Sequence, residues 1–135
     1  MKVNIFSRRK IQILLQGDFL ANTAVISFYD PDKIPVDYNG KAERLIQIPL
    51  DDFQRGFPEA GDLAKFIDKA KSDGLNIICQ CESGQSRSAG CAAARLEYYY
   101  QSGNIIFDND RYYLDQMVYH KVFDALETVS NSKGI

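Results

Sequence analysis

Apolar positions along the chain switch repeatedly between two spacings. Val3-Asn4-Ile5-Phe6 alternates apolar and polar, the period of a short strand. Ser7 follows as a helix cap, Ile11, Leu14 and Leu15 share one helical face, and Gly17 is the stop. Residues 23–28 form a β-rich apolar run, which predicts a buried strand. Asp30-Pro31-Asp32 and Ile34-Pro35 mark a loop reaching Gly40. Residues 45–49 predict a third strand stopped by Pro49, and residues 51–58 a loop whose Pro58 suits a helix start. Leu63, Phe66, Ile67 and Ala70 then fall on one helical face, with Gly74 as the close. Residues 75–79 predict the fourth strand. Residues 89–100 predict a helix ending near Gly103, and Leu114, Met117, Val118, Val122 and Ala125 a last amphipathic one. Residues 131–134 are expected to fray.

Strands alternating with helices predict an α/β fold: a mostly parallel sheet of about four to five strands with helices on both faces. Ligands bind such sheets at the carboxyl ends of the strands. Two loops leave a strand and run into a helix, residues 51–57 and 81–87. Both should therefore open on the same edge of the sheet.

Composition narrows the classes. The 135 residues are 45% hydrophobic and 25% charged, which suits one globular domain over residues 1–135 and excludes collagen, a disordered chain or a disulfide-packed toxin. Sixteen basic residues against eighteen acidic ones show no basic excess or stripe, so no nucleic-acid partner is expected. No apolar run approaches the ~18 residues of a membrane span, and the start lacks the pattern of a secretory signal. Three cysteines cannot make a disulfide framework. The chain reads as cytoplasmic with reduced thiols, and a monomer is expected.

Those thiols draw attention to Cys81-Glu82-Ser83-Gly84-Gln85-Ser86-Arg87-Ser88, which follows a strand and opens a helix. A helix N-terminus presents unpaired N–H groups and a partial positive charge, an anion cradle whose usual guest is phosphate. Gly84 permits positive φ and close approach of the backbone. Arg87 can grip two phosphate oxygens in a bidentate fork. The same surroundings favour a thiolate at Cys81, which makes an activated nucleophile.

These residues resemble the Cys-x-x-Gly-x-x-Arg-Ser/Thr signature of cysteine-based protein phosphatases, most nearly the compact dual-specificity ones. A chance match to all four positions arises about one time in a thousand for this composition. The resemblance implies a phosphatase-like fold, with Cys81 as nucleophile, Arg87 and the backbone of Glu82, Ser83, Gly84, Gln85 and Ser86 as the phosphate-binding loop, and Ser88 as the hydroxyl that eases departure of the sulfur. It also implies an aspartic acid on a loop some 30 residues upstream. Asp52 is the first candidate, 29 positions before Cys81, and Asp51 the reserve. One position departs from the pattern: the family usually has histidine before the cysteine, and here it is Gln80, which can hydrogen-bond but carries no charge.

The implied function is hydrolysis of phosphate monoesters, phosphotyrosine and also phosphoserine or phosphothreonine on proteins or small esters, through a phosphocysteine and with no metal or cofactor. Gln80 motivates a second reading, a catalytically weak phosphoprotein-binding module. A sulfurtransferase or arsenate reductase, which also uses a cysteine in an anion loop, is a third. Glu82 and Gln85 stand where lysines would suit a multiply phosphorylated inositide, which argues against that substrate. Cys79, Cys81, Cys91 and His120 lack zinc-knuckle spacing; Cys79 and Cys91 read as packing, His120 as a surface residue, and Tyr98-Tyr99-Tyr100 as aromatic packing. Arg55, beside the acid loop, could attract an anionic substrate.

Overall fold

The computed structural model describes residues 2–133. Nine elements follow in chain order: β1 (Val3–Ser7), α1 (Arg8–Leu14), β2 (Thr23–Tyr29), β3 (Arg44–Pro49), α2 (Ala60–Ser72), β4 (Asn76–Cys81), α3 (Arg87–Tyr100), α4 (Asn104–Phe107) and α5 (Gln116–Lys133). The four strands form one sheet in the order β1-β4-β2-β3, and every pairing is parallel. Crossover helices are what parallel neighbours require, so the α/β expectation holds with four strands.

The strand period divides the core. Ala24, Ile26 and Phe28 of β2 and Ile77, Cys79 and Cys81 of β4 join the layer under α2, α3 and α5. Val25 and Ile78 point the other way, to Ile11 and Leu15 near α1 and to Val36 and Tyr38 of the following loop. Helices thus cover both faces, three of them on one side. Burying these side chains is the main drive for the fold, about 25 cal/mol per Å² of apolar surface.

Local signals account for most boundaries. Ser7 Oγ accepts from the Lys10 amide at 3.1 Å and caps α1. Gly74 sits at φ +73° after α2. Several edges differ from expectation. β4 runs on through Gln80 to Cys81, because Ser7 pairs with Cys81 and extends the ladder. Pro58 lies two residues ahead of α2 rather than at its start. α3 ends on Gln101, a non-glycine at φ 52°, rather than on Gly103. α4 was not foreseen; its single turn buries only Ile106. Residues 131–133 are helical in α5 rather than frayed, and Gly134 lies outside the described residues.

Gln80 occupies the same face as Ser27 and Tyr38. Its Oε1 accepts from Ser27 Oγ at 2.5 Å and from the Tyr38 hydroxyl at 2.8 Å, all three groups being buried. A neutral amide therefore joins β2, β4 and the loop after β2 just before Cys81. Gln80→Leu should strand two buried hydroxyls and cost about 2 to 4 kcal/mol, read from urea unfolding.

Candidate active site

The strand ends deliver the expected loops to one edge. Cys81 is the last residue of β4, and its side chain is fully buried. Residues 82–86 turn back tightly into α3. Gly84 makes that turn possible: it sits at φ +70°, and a Cβ there would lie 2.6 Å from the Ser7 amide nitrogen. No other residue fits without moving β1.

The loop's carbonyls are tied from outside. Glu82 O accepts from Arg8 N at 3.2 Å, Gln85 O from Tyr113 N at 2.8 Å, and Ser86 O from Asp115 N at 3.0 Å and Gly90 N at 2.9 Å. A peptide unit whose carbonyl faces out turns the next amide in, which points the amides of Ser83, Ser86 and Arg87 inward. The Gln85 amide is the exception, donating to Ser83 Oγ at 3.2 Å. Ser86 stands at the N-cap of α3 but its hydroxyl caps nothing; it donates to Asp52 Oδ1 instead. The first amides of α3 thus keep their capacity to bind an anion.

Cys81 Sγ lies 3.0 Å from Ser88 Oγ. Burial pushes its pKa up, yet the Ser88 hydroxyl, the Ser88 and Ser86 amides and the Arg87 charge together outweigh burial and hold it below the ordinary thiol value. Cys91 differs. Cys79 as neighbour and complete burial push Cys91 well above the thiol range, which fits packing rather than chemistry. Ser88→Ala removes a donor to the thiolate, so the Cys81 pKa should rise. The rising limb of kcat/KM should then move to higher pH, and kcat should fall about tenfold. A pH–rate series checks both.

Arg87 is 2% exposed. Its Nη1 donates to Asp30 Oδ1 at 2.8 Å and to Leu50 O at 2.5 Å. Its Nε is buried with no hydrogen-bond partner among the described residues, 4.0 Å from Asp52 Oδ1. An unpartnered buried donor is costly, and a bound oxyanion would satisfy it. Burial opposes ionisation of Asp30, but Arg87 and then Lys33 overcome it and hold the carboxyl below its usual range.

The acid loop meets this loop through Asp52. Asp51, by contrast, engages among the described residues only through its amide, which donates to Gln54 Oε1, and through its carbonyl. Phe53, next to Asp52, sits at φ 57°, a strained conformation for a side-chain-bearing residue. Its amide donates to Asp115 Oδ2 at 3.0 Å. Asp115 is 1% exposed, and its Oδ1 accepts from the Met117 and Val118 amides at 3.1 and 3.2 Å. One carboxylate therefore caps α5 and anchors the acid loop, while its backbone holds Ser86. Asp115 and Asp30 did not emerge from the sequence, although Asp115 stands one residue before a periodic helix, where a capping aspartate is readable.

Some expected residues stay apart. Arg55 is exposed and pairs with nothing among the described residues. His120 is exposed, its ring against Tyr119. Among the described residues no three His, Cys, Asp or Glu side chains gather as metal ligands, and no helix is long and apolar enough to cross a membrane.

No protein-family model matches the chain, and no curated protein matches it. Solved structures do. Tk-PTP in its active form superposes with a TM-score of 0.63 at 16% identity, covering 95% of this chain and 92% of that one. PTPMT1, solved in complex with PI(5)P, gives 0.60 at 13% identity over 98% and 94%. Human DUSP28 gives 0.58 at 12% identity over 96% and 94%. Across nearly its whole length, the chain has the fold of the dual-specificity-like protein tyrosine phosphatases.

Proposed function

We propose that the chain hydrolyses phosphate monoesters, with phosphotyrosine on proteins as the leading substrate. The observation that carries this is the convergence on one turn of the Cys81 thiol and the Arg87 guanidinium with the Asp52 carboxyl, which comes from 29 positions before Cys81. In the first step Cys81 Sγ attacks phosphorus. The S–P bond forms, the bond to the ester oxygen breaks, and Asp52 gives that oxygen its proton. In the second step Asp52 takes a proton from water, water attacks phosphorus, and the thiolate leaves with help from the Ser88 hydroxyl. Arg87 and the loop amides stabilise the equatorial oxygens throughout, so the reading calls for neither metal nor cofactor.

Two features favour an aryl ester. Phe53 is 64% exposed on the acid loop and Tyr113 67% exposed beside Gln85, so aromatic surface flanks the cradle on two sides. Glu82 faces Arg8 at 4.0 Å and Lys33 at 3.9 Å, which offsets its charge without creating the cationic excess a polyphosphate would use. Gln80 supports the second reading, a phosphoprotein binder with slow turnover.

Hydrolysis of an aryl phosphate with chelator present, followed by a phosphopeptide panel, tests the proposal. Phosphotyrosine peptides should react fastest, with measurable phosphoserine and phosphothreonine turnover. Tight phosphopeptide binding with no hydrolysis would move the chain to the second reading. Thiosulfate-to-cyanide transfer faster than ester hydrolysis would make it a sulfurtransferase.

A further inference from the structure

Two clefts meet beside the phosphate-binding loop. One, of about 380 Å³, is walled by Ser7, Ser83, Gly84 and Gln85, with Lys10 and Arg111 at its sides. The other, of about 370 Å³, is lined by Val3, Asn4, Ile5 and Phe6 together with Arg111 and Tyr112. They share Ile5, Phe6 and Arg111, so they form one groove. Successive side chains of a strand point to opposite faces, and all four of Val3–Phe6 line the second cleft. Its wall is therefore the edge of β1 rather than a face. β1 is terminal in the sheet and among the described residues pairs only with β4, so no strand takes its outer alternate N–H and C=O groups, although Gly84 packs against its Ser7 end. Lys10 and Arg111 are both exposed, and neither side chain has an ion pair or hydrogen bond among the described residues. The other cations near the loop differ: Arg8 and Lys33 already face Glu82 and Asp30.

We infer that this groove docks the flank of a phosphoprotein substrate: an extended segment pairs as a fifth strand along β1, and a carboxylate in it is gripped between Lys10 and Arg111. Strand addition supplies affinity through the main chain, and the two cations supply selectivity. Gly84 covers the Ser7 end, so the paired stretch is Val3–Phe6, and a flank of about four residues at ~3.3 Å each suffices. A polypeptide fits better than a lipid headgroup because the binding wall is a backbone edge with apolar neighbours, Leu96 and Ile106 among them. The groove continues into residues 83–85 of the loop, which links docking to the site whose function is proposed above; the inference rests on that reading for the identity of the substrate.

The experiment uses fluorescent phosphotyrosine peptides with acidic or neutral flanks. Their binding is measured on Cys81→Ser and their hydrolysis on the otherwise unchanged chain. The acidic flank should bind about tenfold more tightly and lose that margin at high salt. Adding Lys10→Glu and Arg111→Glu should remove the preference while hydrolysis of a small aryl phosphate stays unchanged. N-methylation of alternate amides in the flank should weaken binding at one set of positions and leave the other set unaffected. A preference that survives charge reversal, or equal tolerance of both methylated sets, overturns the inference. So does stronger, charge-dependent binding to phosphoinositide vesicles than to the peptide. Failure of aryl phosphate turnover bears on the catalytic reading alone, since docking is read from binding.

Discussion

Cys81→Ser is expected to lower aryl phosphate turnover by about 10⁴-fold or more while leaving oxyanion binding largely intact. The serine hydroxyl keeps the size and a hydrogen bond to Ser88. It is a far weaker nucleophile, because the surroundings that favour a thiolate cannot ionise an alcohol near neutral pH. The cradle rests on other groups: the inward amides, the α3 terminus and Arg87, none of which the substitution touches. Tungstate titration by calorimetry should therefore still detect binding, with an unchanged unfolding midpoint as the control. Residual turnover close to that of the original chain would place the nucleophile elsewhere and remove the mechanism.

Asp52→Asn should separate substrates by leaving group. Esters of alkyl alcohols need a proton on the departing oxygen and should slow by about 10²- to 10⁴-fold. Nitrophenyl phosphate, whose leaving group departs unaided, should slow far less in its first step. The sign of the pH effect follows from the roles. The nucleophile must lose a proton, so rate rises with pH through the lowered thiol range of Cys81. The general acid works protonated, so Asp52→Asn should remove the limb of the profile on which rate falls as pH rises. Asp51→Asn is the control, since only Asp52 accepts the Ser86 hydroxyl. The opposite outcome, with Asp51 carrying the limb, would reassign the acid.

Much of this was readable before any coordinates. The 2.0 and 3.6 periods located the strands and the main helices because each buries one face against a layer, as Val25 and Ile26 do on opposite sides of the sheet. The loop at 81–88 was legible because its chemistry is local: thiol, glycine, arginine and hydroxyl are fixed relative to one another by a single turn. Asp52 was legible through its distance in sequence from Cys81. What stayed hidden depends on tertiary contacts. Asp30 reaches Arg87 across 57 positions, and Asp115 reaches Phe53 across 62. Arg95 illustrates the same limit. It is fully buried, stacked over Tyr99 and Tyr100 at 6.0 and 5.7 Å, and none of its guanidinium nitrogens has a hydrogen-bond partner among the described residues. No periodicity argument would place an arginine there.

Asp115 gives the last helix leverage over chemistry it never touches. Substitutions that shift α5 against α2 or α3 transmit through that carboxylate to the strained Phe53 and, through the neighbouring backbone, to Ser86. On the proposed mechanism, variation on the far side of the molecule therefore reaches proton delivery and the Ser86 end of the phosphate-binding loop together, coupling turnover to affinity across the width of the fold.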